Sequence, residues 1–112
     1  MKTTQTILIV DDDIDILEAL KIYLSKDEYH LLTARNGKDA VDIVKSETVD
    51  LVLMDIMMPI MDGIKATEEI RKLTNIPIIL LTAKSEDNDK VEGLNGGADD
   101  YITKPFNPSE VL

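Results

Sequence analysis

The sequence of 112 residues contains no cysteine and no long apolar run. Without cysteine the chain can form neither a disulfide nor a thiolate metal site. This composition fits a reducing compartment, so we expect a cytoplasmic protein. The apolar runs fall far short of the ~20 residues of a membrane span. The polar N-terminus does not predict a signal peptide, and we expect no association with a membrane.

Positive charge is also scarce, because the net charge is −10 and the arginines are limited to Arg35 and Arg71. Contact with nucleic-acid phosphates needs clustered Lys and Arg side chains. We therefore do not expect this chain to bind DNA by itself.

The length of the chain is typical of one domain with a substantial core. Apolar residues make up 44% of the sequence and charged residues 30%, as in ordinary globular proteins.

Four short apolar runs each end at a polar side chain. The runs at 7–10, 51–54, 78–81 and 101–103 are followed by Asp11, Asp55, Thr82 and Lys104, with Thr103 closing the last run. Runs of this kind, separated by helical patterns, are typical of buried parallel strands. Function in such sheets gathers at the carboxyl ends of the strands. The sequence therefore predicts carboxylates, a hydroxyl and an ammonium at one edge, a group suited to a divalent cation and a phosphoryl group.

The spacing of these runs predicts five βα units. Strands are expected to start near residues 7, 30, 50, 76 and 99, and each interval of about 23 residues holds a strand, a helix and two loops. Asp13 and Asn36 are expected to cap the first two helices. The third helix should follow Asp62-Gly63, with Thr67, Ile70 and Leu73 facing inward.

The last two helices are expected to be unusual. The fourth, over 85–98, contains three glycines and should be short and weakly packed. Asn107-Pro108-Ser109-Glu110 predicts the start of a fifth helix, of which only about one turn precedes the end of the chain at Leu112. We therefore expect residues 1–112 to be a C-terminally truncated domain of a longer protein.

The acidic residues at the predicted strand ends point to a metal site. Asp11, Asp12 and Asp55 would repel one another unless a cation relieved them. Hard oxygen ligands suit Mg²⁺ (or Mn²⁺), whereas Asp13 is better explained as a helix cap. Lys104 could supply a point charge to a phosphoryl oxygen. Ala83, being small, would leave room for a ligand beside a backbone N–H.

The sequence contains four motifs whose order along the chain is typical of one protein family. The motifs are Ile7-Leu8-Ile9-Val10-Asp11-Asp12, Asp55-Ile56-Met57-Met58-Pro59 with Asp62-Gly63, Leu81-Thr82-Ala83, and the run from Gly97-Ala98-Asp99-Asp100 through Tyr101-Ile102-Thr103 to Lys104-Pro105-Phe106. The chain resembles, from about Thr6 to Leu112, the receiver domain of bacterial two-component response regulators. The last motif is most similar to the OmpR/PhoB subfamily.

The resemblance implies a flavodoxin-like, doubly wound (βα)5 fold with a parallel sheet in the order 2-1-3-4-5. It implies that Asp55 is the phosphoacceptor, taking its phosphoryl group from a sensor histidine kinase. Mg²⁺ would be bound by Asp12, Asp55 and the Met57 carbonyl, with Asp11 acting through water. Such a domain catalyses only its own phosphorylation and dephosphorylation.

The resemblance also implies how the domain responds. Lys104, Thr82 and the Ala83 N–H would contact the phosphoryl oxygens, and Tyr101 would be the switch aromatic that follows Thr82. Phosphorylated domains of this subfamily form homodimers through helix four, strand five and helix five. By position, the residues of that dimer face would be Lys90, Asp99, Asp100 and Glu110. DNA would be bound only by a C-terminal output domain, which is missing from this chain.

Three other interpretations stay open at this stage. A haloacid-dehalogenase-type phosphatase also uses a strand-end Asp nucleophile, which Asp11 and Asp13 fit superficially. A flavodoxin-like FMN module would share the sheet order, but it would need a Ser/Thr/Gly-rich loop after the first strand. A degenerate receiver that serves only as an interaction module would normally lack Asp55, Thr82 or Lys104, and all three are present.

Overall fold

The computed structural model describes residues 4–25, 28–82 and 100–103. Strands and helices alternate along these residues as β1 (Thr6–Val10), α1 (Ile14–Leu24), β2 (His30–Ala34), α2 (Gly37–Ser46), β3 (Leu51–Asp55), α3 (Gly63–Arg71), β4 (Ile78–Thr82) and β5 (Asp100–Thr103). The expected fourth and fifth helices fall outside the described residues.

The strands form one parallel sheet in the order β2-β1-β3-β4-β5. This order confirms the flavodoxin-like fold class. The register places Val10 of β1 opposite both Ala34 of β2 and Met54 of β3. Asp55 lies opposite Leu81 of β4. The residues that follow β1 therefore reach the same edge of the sheet as the last residue of β3.

Both faces of the sheet are covered, which explains the nearly continuous apolar runs. Alternate residues of a strand point to opposite faces. Leu8, Val52 and Met54 pack with α2 and α3 on one side, whereas Ile9 and Leu53 pack with α1 on the other. Burial of one such side chain contributes about 2 kcal/mol. Helices on both faces hold the strand ends rigidly at one edge.

Each described helix begins at a side chain that caps its free N–H groups. The Asp13 side chain accepts from the Asp15 N–H, the Asn36 side chain from the Asp39 N–H, and the Asp62 side chain from the Lys65 N–H. The caps predicted at Asp13 and Asn36 are confirmed. Among the described residues, no helix has both the length and the apolar character needed to cross a bilayer.

The predicted inner face of α3 is right for Thr67 and Ile70, which are buried, but wrong for Leu73, which is 49% exposed. The helix ends at Arg71, and the Leu73 N–H bonds to the carbonyl of Ile70, three residues earlier. Such a bond tightens the last turn, as at many helix ends. The 3.6-residue period therefore no longer applies at Leu73, and its side chain turns toward solvent.

Candidate functional site

Three carboxylates meet at the carboxyl edge of the sheet. Asp11 and Asp12 follow β1, Asp55 ends β3, and one carboxylate oxygen from each lies within 4.8 Å of the others. Asp11 is 0% exposed and Asp55 is 6% exposed, whereas Asp12 is open to solvent. Like charges this close repel one another, and a hard divalent cation with oxygen ligands relieves that repulsion. The donor set therefore fits Mg²⁺.

The three acids of the loop between β1 and α1, Asp11, Asp12 and Asp13, have different hydrogen-bond partners. The Asp13 N–H donates to Asp11 Oδ1 at 2.9 Å, and the Asp15 N–H donates to Asp13 Oδ1 at 2.9 Å. Asp13 thus uses a carboxylate oxygen to cap α1 and stands outside the cluster. A side chain from β2–α2 also reaches this loop, since Arg35 Nη2 donates to the Asp12 carbonyl at 2.9 Å.

Gly63, the first residue of α3, lies directly against the backbone of Asp55. Its N–H donates to the Ile56 carbonyl at 2.8 Å. A Cβ built on Gly63 would lie 2.1 Å from the Asp55 carbonyl oxygen, a separation that real Cβ atoms essentially never show. Only glycine permits this close approach of the helix to the site-bearing strand end.

The loop between β3 and α3 contains a strained turn. Ile60 has a φ of 70°, and the Met61 N–H donates to the Pro59 carbonyl at 2.7 Å across it. These two features define a γ-turn with positive φ at its centre, a rare and strained form. Ile60 is 79% exposed, so its side chain gains little from packing. Strain of this kind tends to cluster near functional sites.

Substitution of Ile60 should reveal this strain. We expect Ile60→Gly to be more stable than Ile60→Ala by about 1 kcal/mol, because only alanine carries a Cβ at positive φ. Urea unfolding of both variants gives the difference directly. The matched control is Ala19→Gly on the exposed side of α1, which should lose about 1 kcal/mol. The same ranking of alanine above glycine at both positions would contradict a strained turn at Ile60.

The other predicted site residues are placed only in part. Met57 lies two residues beyond Asp55, in the loop that follows β3. Thr82 ends β4 and pairs in register with Thr103, while Tyr101 pairs with Leu80 and Asp100 with Ile79. Thr82 is thus one residue beyond the position beside Asp55 on the neighbouring strand. Ala83, Lys90, Asp99, Lys104 and Glu110 lie outside the described residues.

Comparison with known proteins identifies the family. Residues 7–112 match the family model for the response regulator receiver domain. The chain belongs to this family. As a receiver domain, it is a phosphoacceptor module of two-component signal transduction. Receiver domains generally accept phosphoryl groups without acting as enzymes on other substrates, and they interact with phosphodonors such as histidine kinases or phosphotransfer proteins.

Similar proteins include response regulators and receiver domains. The receiver domain is 42% identical to the response regulator GtcR of Aneurinibacillus migulanus over 109 residues, which is 97% of this chain and 45% of the relative. The BeF3-activated receiver domain of DrrB is 33% identical with a TM-score of 0.90, covering 98% of this chain and 92% of that one. A second structure, of the response regulator DrrB described as a Thermotoga maritima OmpR/PhoB homologue, is 33% identical with a TM-score of 0.88, covering 98% of this chain and 50% of that one.

A third similar structure is that of a receiver domain bound to a partner. The receiver domain of Ssk1 from Saccharomyces cerevisiae was solved with the histidine phosphotransfer protein Ypd1. It is 30% identical with a TM-score of 0.90, covering 99% of this chain and 86% of that one. Receiver domains bind Mg²⁺ at an acidic pocket, and Asp11, Asp12 and Asp55 form such a pocket here.

Sequence reasoning did not assign a site role to three residues that contact the site or its loops. Arg35 is distinguished in the sequence only as one of two arginines, yet it bonds to the Asp12 backbone. The Asp62-Gly63 pair signalled a helix start, but the contact of Gly63 with Asp55 depends on tertiary packing. Positive φ at a β-branched residue such as Ile60 has no signal in sequence, because that residue type disfavours it.

Proposed function

We propose that Asp55 is the residue of this receiver domain that accepts the phosphoryl group. The observation that supports this assignment is the position of its carboxylate. Asp55 is the last residue of the central strand β3 and is buried. One of its carboxylate oxygens lies within 4.8 Å of a carboxylate oxygen of Asp11 and of Asp12. A carboxylate can attack phosphorus directly as a nucleophile. The neighbouring acids supply the oxygen ligands for a cation that offsets charge in the transition state.

Transfer of the phosphoryl group from a donor histidine to Asp55 needs no separate general base. A carboxylate oxygen of Asp55 forms a bond to phosphorus while the bond from phosphorus to the imidazole nitrogen of the donor histidine breaks. The imidazole keeps the electron pair and takes up a proton. The transition state is loose, so the protein mainly aligns the groups and places positive charge near the equatorial oxygens. Mg²⁺, when bound, supplies part of that charge.

The proposed ligands follow from the family's pattern. Asp12, Asp55 and the Met57 carbonyl would bind Mg²⁺ or Mn²⁺ directly, and Asp11 through water. Mg²⁺ keeps several waters and takes only a few protein oxygens, which suits a pocket with one acid open to solvent. Lys104, Thr82 and the Ala83 N–H would contact the phosphoryl oxygens.

The proposed output follows the family's pattern of helix four, strand five and helix five. Tyr101 and Thr82 form the switch, and the phosphorylated domain pairs through a face that includes Lys90, Asp99, Asp100 and Glu110. The phosphodonor is a sensor histidine kinase. The chain spans 45% of GtcR, and for the whole protein we propose a transcriptional output through a separate DNA-binding domain.

The proposed function is tested by intact-mass spectrometry of the chain incubated with acetyl phosphate. With Mg²⁺ we expect a single adduct of about 80 Da, labile to hydroxylamine as an acyl phosphate is. With EDTA we expect no adduct. Continuous hydrolysis of a small phosphate ester, without an accumulated adduct, would instead favour a phosphatase and contradict the proposal.

Removal of Asp12 should separate charge repulsion from metal binding. In EDTA we expect Asp12→Ala to melt about 4 °C above the unchanged protein, because close like charges cost about 1 kcal/mol. Added Mg²⁺ should raise the melting temperature of the unchanged protein by mass action but hardly that of the variant. Calorimetry measures both, with Asp42→Ala on the exposed face of α2 as control. A lower melting temperature of Asp12→Ala in EDTA would show that the acids do not destabilise the fold.

A further inference from the structure

One peptide group in the β1–α1 loop is held at both ends. It joins Asp12 to Asp13. Its N–H donates to Asp11 Oδ1 at 2.9 Å, and its carbonyl accepts from Arg35 Nη2 at 2.9 Å. A peptide group is planar, so two bonds on opposite edges restrict its rotation. Rotation of this plane would change the backbone torsion angles of Asp12 and Asp13, and with them the path of the loop that carries the Asp12 side chain.

Arg35 reaches this peptide because the two loops leave the sheet side by side. Val10 pairs with Ala34, and the Asp11 N–H donates to the Ala34 carbonyl at 3.1 Å. Arg35 is the next residue, just before Asn36 caps α2. The backbone of Arg35 is therefore fixed on both sides, which gives the side chain a defined origin opposite Asp12.

The three acids differ in what holds them. Asp11 and Asp55 are buried, so the surrounding packing limits their positions. Asp12 is exposed and lacks such packing. Its position relative to the two buried carboxylates therefore depends more on its backbone than theirs do. The bond from Arg35 is a contact with a distant part of the chain that holds the Asp12 backbone itself, next to the bond between the Asp11 N–H and the Ala34 carbonyl.

We propose that Arg35 is a positioning residue of the cation site. By holding the Asp12 carbonyl, it keeps the Asp12 carboxylate close to Asp11 and Asp55 and so raises the affinity for Mg²⁺. This inference rests on the proposed cation site and adds to it a residue outside the three acids. Arg35 acts through Asp12 and does not itself contact the cation.

The charge of Arg35 acts in the opposite direction. A guanidinium near the pocket repels a divalent cation, so its removal favours Mg²⁺ through simple electrostatics. Salt separates the two effects, because the Debye length falls from about 10 Å at 0.1 M to about 4 Å at 0.5 M. A hydrogen bond that orients a peptide persists at the higher salt, whereas repulsion between exposed charges is screened.

The test is titration calorimetry with MgCl₂ on four proteins at both salt concentrations. They are the unchanged chain, Arg35→Met, Arg35→Lys and Lys38→Met. Lys38 is an exposed cation on α2 that pairs with Asp42, so its variant loses the same charge without touching Asp12. At high salt we expect Arg35→Met to bind Mg²⁺ about three- to ten-fold more weakly, the range for loss of one hydrogen bond. Lys38→Met should stay within about two-fold of the unchanged chain, and Arg35→Lys should recover part of the loss.

Two further measurements exclude a general structural role. The metal-free melting temperature of Arg35→Met should match that of Lys38→Met. Amide hydrogen exchange, followed by NMR, should be faster at the Asp13 N–H of Arg35→Met than in the unchanged chain, since that peptide has lost one of its two bonds. These results together would support positioning of Asp12 by Arg35.

The contrary outcomes are distinct. Equal Mg²⁺ affinity of Arg35→Met and Lys38→Met at high salt would overturn the inference and leave the cation site intact. A fall in melting temperature with faster exchange throughout the sheet would show that Arg35 serves the fold. Failure of the unchanged chain to bind Mg²⁺ would overturn the cation site itself, and this inference with it.

Discussion

Asp55→Asn is expected to leave no detectable acyl phosphate adduct in the presence of Mg²⁺ and acetyl phosphate. An asparagine amide has nearly the same size as the carboxylate but lacks the negative charge and the nucleophilic oxygen. The substitution also removes one ligand of the acidic pocket and one of its crowded charges. The fold should therefore persist while phosphorylation is lost. Intact-mass spectrometry and a thermal melt of the same sample measure both.

The matched control for this experiment is Asp42→Asn. Asp42 lies on α2, pairs with Lys38 at 3.4 Å and lies outside the acidic cluster. This variant should gain the adduct of about 80 Da at the rate of the unchanged chain. An adduct that persists on Asp55→Asn with the same dependence on Mg²⁺ would move the acceptor to Asp11 or Asp12. That result would favour the phosphatase-like use of the first strand.

Gly63→Ala is expected to have the largest effect on stability, with a loss of about 3 kcal/mol. The new Cβ would lie 2.1 Å from the Asp55 carbonyl oxygen and 3.0 Å from the Ile56 Cα. These are backbone atoms within or next to a central strand, so no flexible side chain can move aside. Either α3 must shift or the end of β3 must move. Urea unfolding measures the loss, and calorimetry should show weaker Mg²⁺ binding because Asp55 is displaced.

Helix propensity predicts the opposite sign for the same substitution, which makes the result decisive. Alanine has the higher helix propensity, by up to about 1 kcal/mol in a helix interior and less at a first helical position such as that of Gly63. If local propensity controlled this position, Gly63→Ala would be more stable than the unchanged chain. An equal or higher midpoint in urea would therefore show that α3 can move away from Asp55 without cost.

Much of the fold could be predicted because its signals are local. The run Ile7-Leu8-Ile9-Val10 is apolar throughout because both faces of β1 are covered. Asp13 and Asn36 predict helix starts because their side chains accept hydrogen bonds from backbone N–H groups in the first turn of the helix that follows. The three acids could be predicted to meet because parallel strands end at one edge. The strand order itself came from the family resemblance.

The remaining features depend on contacts between distant segments. Leu73 fits the periodicity of α3, but the helix ends two residues earlier in a tight turn. The bond from Arg35 to Asp12 and the approach of Gly63 to Asp55 join residues that no local pattern connects. The roles of Lys104 and Thr82 and the proposed dimer face stay predictions.

The pairing of β1 with β3 has a consequence for how the acidic site forms during folding. The Thr6 N–H donates to Asp50 Oδ2 across 44 residues of chain, and the same pairing brings Asp11 to Asp55. Contacts of such sequence separation form slowly, because a large loop must close to make them. In an unfolded chain Asp55 is therefore separated from Asp11 and Asp12, and the three carboxylates form no pocket that concentrates a cation. The domain should therefore become able to accept a phosphoryl group only when β1 and β3 have paired.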